Sequence, residues 1–178
     1  MHRHHYRSRH ARVKTGLTIA VLAVCSLAWG GSSAEPAKGS WDHVAAATAK
    51  VDEQSIRANA ARTADWPAYG LDYGETRHSK LAEISAANVN QLGLVWSYNL
   101  ESTRGVEATP LVVDGIMYVS ASWSIVHAVD VRTGKRLWTY DPKVPREMGF
   151  KGCCDVVNRG VALYRGKVFV GTFDGRLI

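Results

Sequence analysis

Ile125-Val-His-Ala-Val-Asp-Val-Arg-Thr-Gly-Lys-Arg-Leu-Trp-Thr-Tyr140 holds two short β-prone runs joined by a turn centred on Thr133-Gly134. Val and Ile fill the first run, Leu, Trp and Tyr the second, and Gly supplies the backbone freedom a tight reversal needs. Working outward, Leu111-Val-Val113 and Ile116-Met-Tyr-Val119 flank Asp114-Gly115, a strong hairpin signal. Val161-Ala-Leu-Tyr164 and Lys167-Val-Phe-Val170 flank Arg165-Gly166 and so repeat that hairpin 51 residues later. Val95-Trp-Ser-Tyr98 returns 42 residues on as Leu137-Trp-Thr-Tyr140. A period of about 40–50 residues, with four short strands per unit, is the signature of a β-propeller blade. The all-β alternative is a sandwich with chance internal similarity.

The 178 residues carry a formal charge of +6, which invites a nucleic-acid or membrane-surface reading. Arg3, Arg7, Arg9, Arg12 and Lys14 account for +5 of it, because residues 1–34 contain no acid. Behind these basic residues runs Leu17-Thr-Ile-Ala-Val-Leu-Ala-Val-Cys-Ser-Leu-Ala28, followed by Ser32-Ser-Ala34. A basic start, a short apolar core and small residues read by a peptidase make residues 1–34 an expected signal peptide, cut after Ala34 and directing export to the periplasm. His2, His4, His5 and His10 fall in that leader and read as part of its polar start. The remaining chain is nearly neutral at +1, with 17 basic and 16 acidic side chains, and shows no basic face for nucleic acid. A hydrophobic share of 46% with six Trp excludes a disordered chain.

Residues 35–65 read as a polar, Ala-rich lead-in. Within it, Val51, Ile56 and Ala60 are spaced for one helical face, and Asp52 and Glu53 suit a helix start. Trp66-Pro-Ala-Tyr-Gly70 and Asp72-Tyr-Gly74 are turn chemistry, and Ser85 is placed to cap one helical turn ending near Leu92. Residues 66–178 are the expected blades. After the leader, 144 residues supply about three blades where closed propellers need roughly four to eight, so the chain is expected to be part of a longer protein.

Lys151-Gly-Cys-Cys-Asp-Val-Val-Asn-Arg159 is the most unusual stretch. Neighbouring Cys residues sit ~3.8 Å apart at Cα, closer than in ordinary disulfides. From the residues alone, Cys153 and Cys154 either close a strained ring or remain reduced or bonded elsewhere.

Ala128-x-Asp130-x-x-Thr133-Gly134-x-x-x-Trp138 resembles the tryptophan-docking repeat of pyrroloquinoline quinone (PQQ) dehydrogenases, in which a Trp near each blade's end packs between neighbouring blades. Cys153-Cys154 followed by Arg159, with Glu107 in Val106-Glu-Ala-Thr-Pro110, resembles the N-terminal part of the PQQ-dependent alcohol dehydrogenases. Trp66-Pro-Ala-Tyr-Gly70, Thr76-Arg-His-Ser-Lys-Leu81 and Glu101-Ser-Thr-Arg-Gly-Val-Glu107 look most like the quinohaemoprotein type. The resemblance implies an all-β, PQQ-type propeller, eight-bladed in full-length members, that oxidises primary alcohols and passes electrons to a cytochrome c-type acceptor. It implies a vicinal Cys153–Cys154 disulfide lying against the PQQ ring, Arg159 donating to a quinone oxygen or carboxylate, and Glu107 bonding the ring edge. The Ca²⁺ ligands and the catalytic Asp would lie beyond Ile178, as would any haem c domain. Alone, the chain is then expected to be inactive. Other readings are a non-catalytic envelope-assembly propeller and a PQQ-dependent sugar dehydrogenase. His127 and Asp155 read as structural.

Overall fold

The computed structural model describes residues 34–178; the expected signal peptide, apart from Ala34, lies outside the described residues. Strands β1 (Leu111–Val113), β2 (Ile116–Ser120), β3 (Val126–Asp130) and β4 (Arg136–Tyr140) form one antiparallel sheet in sequence order. Strands β5 (Ala162–Tyr164) and β6 (Lys167–Phe169) form a separate hairpin. Both hairpin tips take the turn that matches strand twist, with two successive left-handed residues: Asp114 and Gly115 at φ 48° and 76°, Arg165 and Gly166 at φ 43° and 82°.

The repeat extends past the hairpins. Ala121 N donates to Ile125 O at 2.7 Å, and 51 residues later Thr172 N donates to Arg176 O at 2.8 Å. Against an expectation of about three blades, the described residues thus form one four-stranded sheet and the opening of the next. Much of the difference lies in the segment between Pro67 and Pro110, which contributes no strand.

Val95–Tyr98 repeats the β4 pattern but is not a strand. Leu94 and Val95 are 86% exposed, and no described neighbour offers a ladder to them. What the two copies share is the docking of their aromatics. Trp96 Nε1 donates to Val131 O at 2.7 Å, and its ring lies over Gly134, where a Cβ would come within 2.7 Å. Gly134 also needs φ +69°. The Thr-Gly turn therefore receives a Trp from the preceding unit. Gly134→Ala adds both a clash and a left-handed alanine, and should destabilise the protein by about 1–3 kcal/mol; an unchanged melting temperature would refute this docking.

The lead-in belongs to the core. Helix α1 (Trp41–Ala49), which the sequence reading did not anticipate, starts where Ser40 Oγ accepts from His43 N at 3.1 Å. Helix α2 (Glu53–Arg62) starts in a reciprocal capping arrangement of Asp52 and Ser55. Val44, Ala47, Val51 and Ile56 pack with Leu111, Ile116, Tyr118 and Leu163 in one cluster. The expected face is corrected at its end: Ala60 is exposed, and Asn59 is the residue turned inward. Its amide donates to Asp65 O at 3.0 Å and Leu71 O at 3.2 Å.

The lead-in also holds both hairpin tips. Asp114 faces Lys38 and Lys50 at 3.3 and 3.4 Å, while Arg165 N and Gly166 N donate to Val51 O and Thr48 O at 2.7 and 3.0 Å. Ser85 does not act as a cap: its own N donates to Asn88 Oδ1 at 2.7 Å, and a short 3₁₀ turn begins later, at Val89. Among the described residues no helix is long and apolar enough to cross a membrane.

Candidate functional site

Two loops from successive units run side by side, residues 101–109 before β1 and residues 152–160 before β5. Thr109 N donates to Arg159 O at 3.2 Å, which fixes their register. Two ion pairs of reversed polarity then cross the gap. Arg104 forks onto the Asp155 carboxylate, with Nε 3.1 Å from Oδ2, and Arg159 Nη2 meets Glu107 Oε2 at 3.1 Å. Arg159 remains 66% exposed and Glu107 45%, so both keep bonding capacity toward a ligand.

Cys153 and Cys154 are joined as a disulfide across a Cα separation of 3.8 Å, and both residues are exposed. Two residues past Cys154, Val156 is wholly buried and its O accepts from Trp123 N at 2.9 Å. Asn158 anchors the same loop by donating to Ser124 Oγ at 3.2 Å and Gly171 O at 2.8 Å. The sequence-predicted residues Glu107 and Arg159 therefore meet directly, and the cysteine pair stands five residues from Arg159 on the same loop.

A cleft of ≈ 380 Å³ opens beside Arg159, with Tyr69, Thr109 and Asn158 among its walls. In the sequence Tyr69 stands out only as part of the Trp66–Gly70 turn. The Arg77 guanidinium sits 4.3 Å from its ring centroid, and hydrogen bonding from Arg77 holds the phenol below its usual pKa. No sequence signal places Tyr69 here, since the contact depends on how the 67–77 turns fold back.

His127 and Asp155 are each engaged by neighbouring side chains. Buried His127 presents Nδ1 to Tyr98 Oη at 3.0 Å and Thr139 Oγ1 at 3.2 Å, and burial pushes its pKa down. The Arg104 hydrogen bond, before any other cause, lowers Asp155 from 3.8 to about 2. A depressed carboxylate pKa stabilises the fold above the unfolded value and loses that contribution as pH falls through the folded one. Between pH 4 and pH 2 the wild type should therefore lose stability that Asp155→Asn lacks throughout. Identical acid limbs in urea titrations of the two proteins would contradict the pairing.

Residues 66–178 match the family model described as PQQ, glucose/ethanol/alcohol dehydrogenase, beta-propeller domain. The chain belongs to this PQQ dehydrogenase family. Among curated relatives, the quinohemoprotein alcohol dehydrogenase of Comamonas testosteroni is 65% identical over 163 residues, covering 92% of this chain and 23% of the relative. The 1-butanol dehydrogenase (cytochrome c) of Thauera butanivorans is 68% identical over 114 residues, covering 64% of this chain and 16% of the relative. The chain thus spans about a quarter or less of the PQQ dehydrogenases it matches. The crystal structure of the Comamonas testosteroni enzyme superposes with a TM-score of 0.74 at 73% identity, over 76% of this chain and 20% of that one. The quinohemoprotein alcohol dehydrogenase ADHIIG of Pseudomonas putida HK5 gives 0.70 at 51% identity, over 72% of this chain and 19% of its own. These neighbours share the propeller fold with this chain.

Proposed function

We propose that this chain supplies part of the PQQ-binding face of a periplasmic alcohol dehydrogenase, which oxidises primary alcohols to aldehydes and passes the electrons to a cytochrome c-type acceptor. The observation that carries the reading is the pairing of Glu107 with Arg159 across adjoining loops, with Arg159 on the same loop that carries an exposed Cys153–Cys154 disulfide. A non-catalytic scaffold has no use for that combination.

The donor set fits PQQ. The cofactor presents carboxylates and quinone oxygens, and Arg159 offers a planar fork of N–H donors suited to them. Glu107 holds that fork in place from the preceding unit and can accept from an N–H on the ring edge. The disulfide adds a compact, hydrogen-free wall for one ring face. When bound, PQQ supplies the two-electron sink that alcohol oxidation requires. The residues of this chain orient that group and place positive charge beside it.

Among the described residues no three His, Cys, Asp or Glu side chains gather into a metal site, and a Ca²⁺ beside the cofactor would draw its ligands from elsewhere in the protein. The names of the quinohemoprotein relatives support a haem c in another domain. The leader pattern of residues 1–34 and the persistence of a disulfide both suit an oxidising compartment outside the cytoplasm.

The test is turnover by the whole protein loaded with PQQ and Ca²⁺, offered ethanol, 1-butanol or glucose with an artificial electron acceptor. PQQ-dependent aldehyde formation is expected from the alcohols. Oxidation of glucose alone, or no PQQ dependence, would overturn the assignment.

A further inference from the structure

We propose that Trp123 and the Arg104–Asp155 ion pair position the disulfide loop, acting from its two ends to hold Cys153 and Cys154 in register with Arg159; the functional half of this statement rests on the PQQ reading above. Trp123 and Ser124 are consecutive non-glycine residues in the left-handed region, at φ 63° and 59°. Such a backbone is strained for a residue with a side chain and persists only where its surroundings over-determine it. Here they do. Ser124 is wholly buried, and its Oγ accepts from Phe173 N at 3.1 Å and Asn158 Nδ2 at 3.2 Å. Trp123 N is tied to Val156 O, beyond the cysteines.

The outcome of this backbone is the placement of one ring. Trp123 lies against Gly149, where a Cβ would come within 2.9 Å, with the Arg146 guanidinium 4.2 Å from its centroid. Phe173 packs edge-on to it at 6.5 Å and fills the space beside Gly152 that a side chain would need. The segment 146–152, which leads into Cys153, therefore rests on an aromatic shelf with glycine at both points of close approach. One residue past Cys154 the shelf gives way to the second hold, where the Asp155 carboxylate takes Arg104, Gly105 N at 3.4 Å and Val156 N at 2.8 Å. The two cysteines are bracketed by these contacts. Arg104 stands three residues from Glu107, so the same ion pair ties the disulfide loop to the loop that carries Glu107. If Arg159 turns from Glu107 toward a ligand, the Arg104–Asp155 pair still joins the loops.

The test reads the disulfide itself, without cofactor. In the apo protein, equilibration with dithiothreitol converts Cys153–Cys154 to two thiols while one dithiol is oxidised, and the thiols are counted with a chromogenic reagent. Loosening either end removes support from the closed ring, so Trp123→Ala and Asp155→Asn should each raise the equilibrium constant for reduction roughly fivefold, the equivalent of about 1 kcal/mol. Trp123→Phe, which keeps an aromatic shelf, should read near wild type. Exchanging charges in Arg104→Asp with Asp155→Arg should restore much of what Asp155→Asn loses, and this pair carries the test if Trp123→Ala does not fold. With PQQ added, Trp123→Ala and Asp155→Asn should shift the cofactor's visible absorption, and the charge-exchanged protein should return it. A reduction equilibrium unmoved by these variants would overturn the proposal. Variants that move it in a protein that binds no PQQ would uphold the positioning role and count against the PQQ reading instead.

Discussion

Replacing both Cys153 and Cys154 by Ala in the PQQ-loaded protein should lower kcat/KM for a primary alcohol on the order of 100-fold, the scale on which small misplacements of reacting groups cost rate. Both cysteines are exposed, so the two Ala side chains leave the fold's core untouched. What they remove is the rigid wall and the constraint on the intervening peptide. Arg159 sits five residues on, and its loop would keep its ties through Thr109 N and Asn158. Cofactor should therefore still bind, with a broadened absorption band and a lower kcat rather than a mainly raised KM. Wild-type turnover with PQQ bound would remove the disulfide from the mechanism.

The second large effect concerns stability. Tyr118 is fully buried in the core cluster, its ring centroid 6.1 Å from that of Trp138, and no hydrogen-bond partner is found for its hydroxyl. Burial alone pushes its pKa well above the ordinary tyrosine value. Truncation in Tyr118→Ala should cost about 3–5 kcal/mol, as for other large aromatic deletions. Tyr118→Phe removes only the unsatisfied oxygen and should be neutral or stabilising by up to ~1 kcal/mol. Urea denaturation of the three proteins separates these outcomes. A clear loss of stability in Tyr118→Phe would reveal a partner for the hydroxyl.

The parts of the fold that could be read from the sequence are those encoded locally. Asp114-Gly115 and Arg165-Gly166 specify their turns almost alone, and the Thr133-Gly134 turn announces the β3–β4 pair. Val95–Tyr98 misled because a strand needs a neighbour: its pattern equals that of β4, yet the described residues give it aromatic docking sites and no ladder. Helix α1 was missed because its Ala-rich sequence has little periodic contrast, and its burial comes from tertiary packing on the hairpins.

The candidate site divides in the same way. Adjacent cysteines are visible in any sequence, and Glu107 and Arg159 could be named through resemblance to a family. Their meeting at 3.1 Å depends on loops from two units lying in register. Trp123 carried no such signal, because its left-handed backbone is imposed by contacts from residues 146–173, and Arg104 finds Asp155 only when the units stack.

The most direct test of the central claim is a crystal structure of the whole protein with PQQ bound. The account predicts one face of the PQQ ring against Cys153–Cys154 and a cofactor oxygen within about 3.2 Å of the Arg159 guanidinium. PQQ seated away from the disulfide, with Arg159 still closed on Glu107, would contradict it.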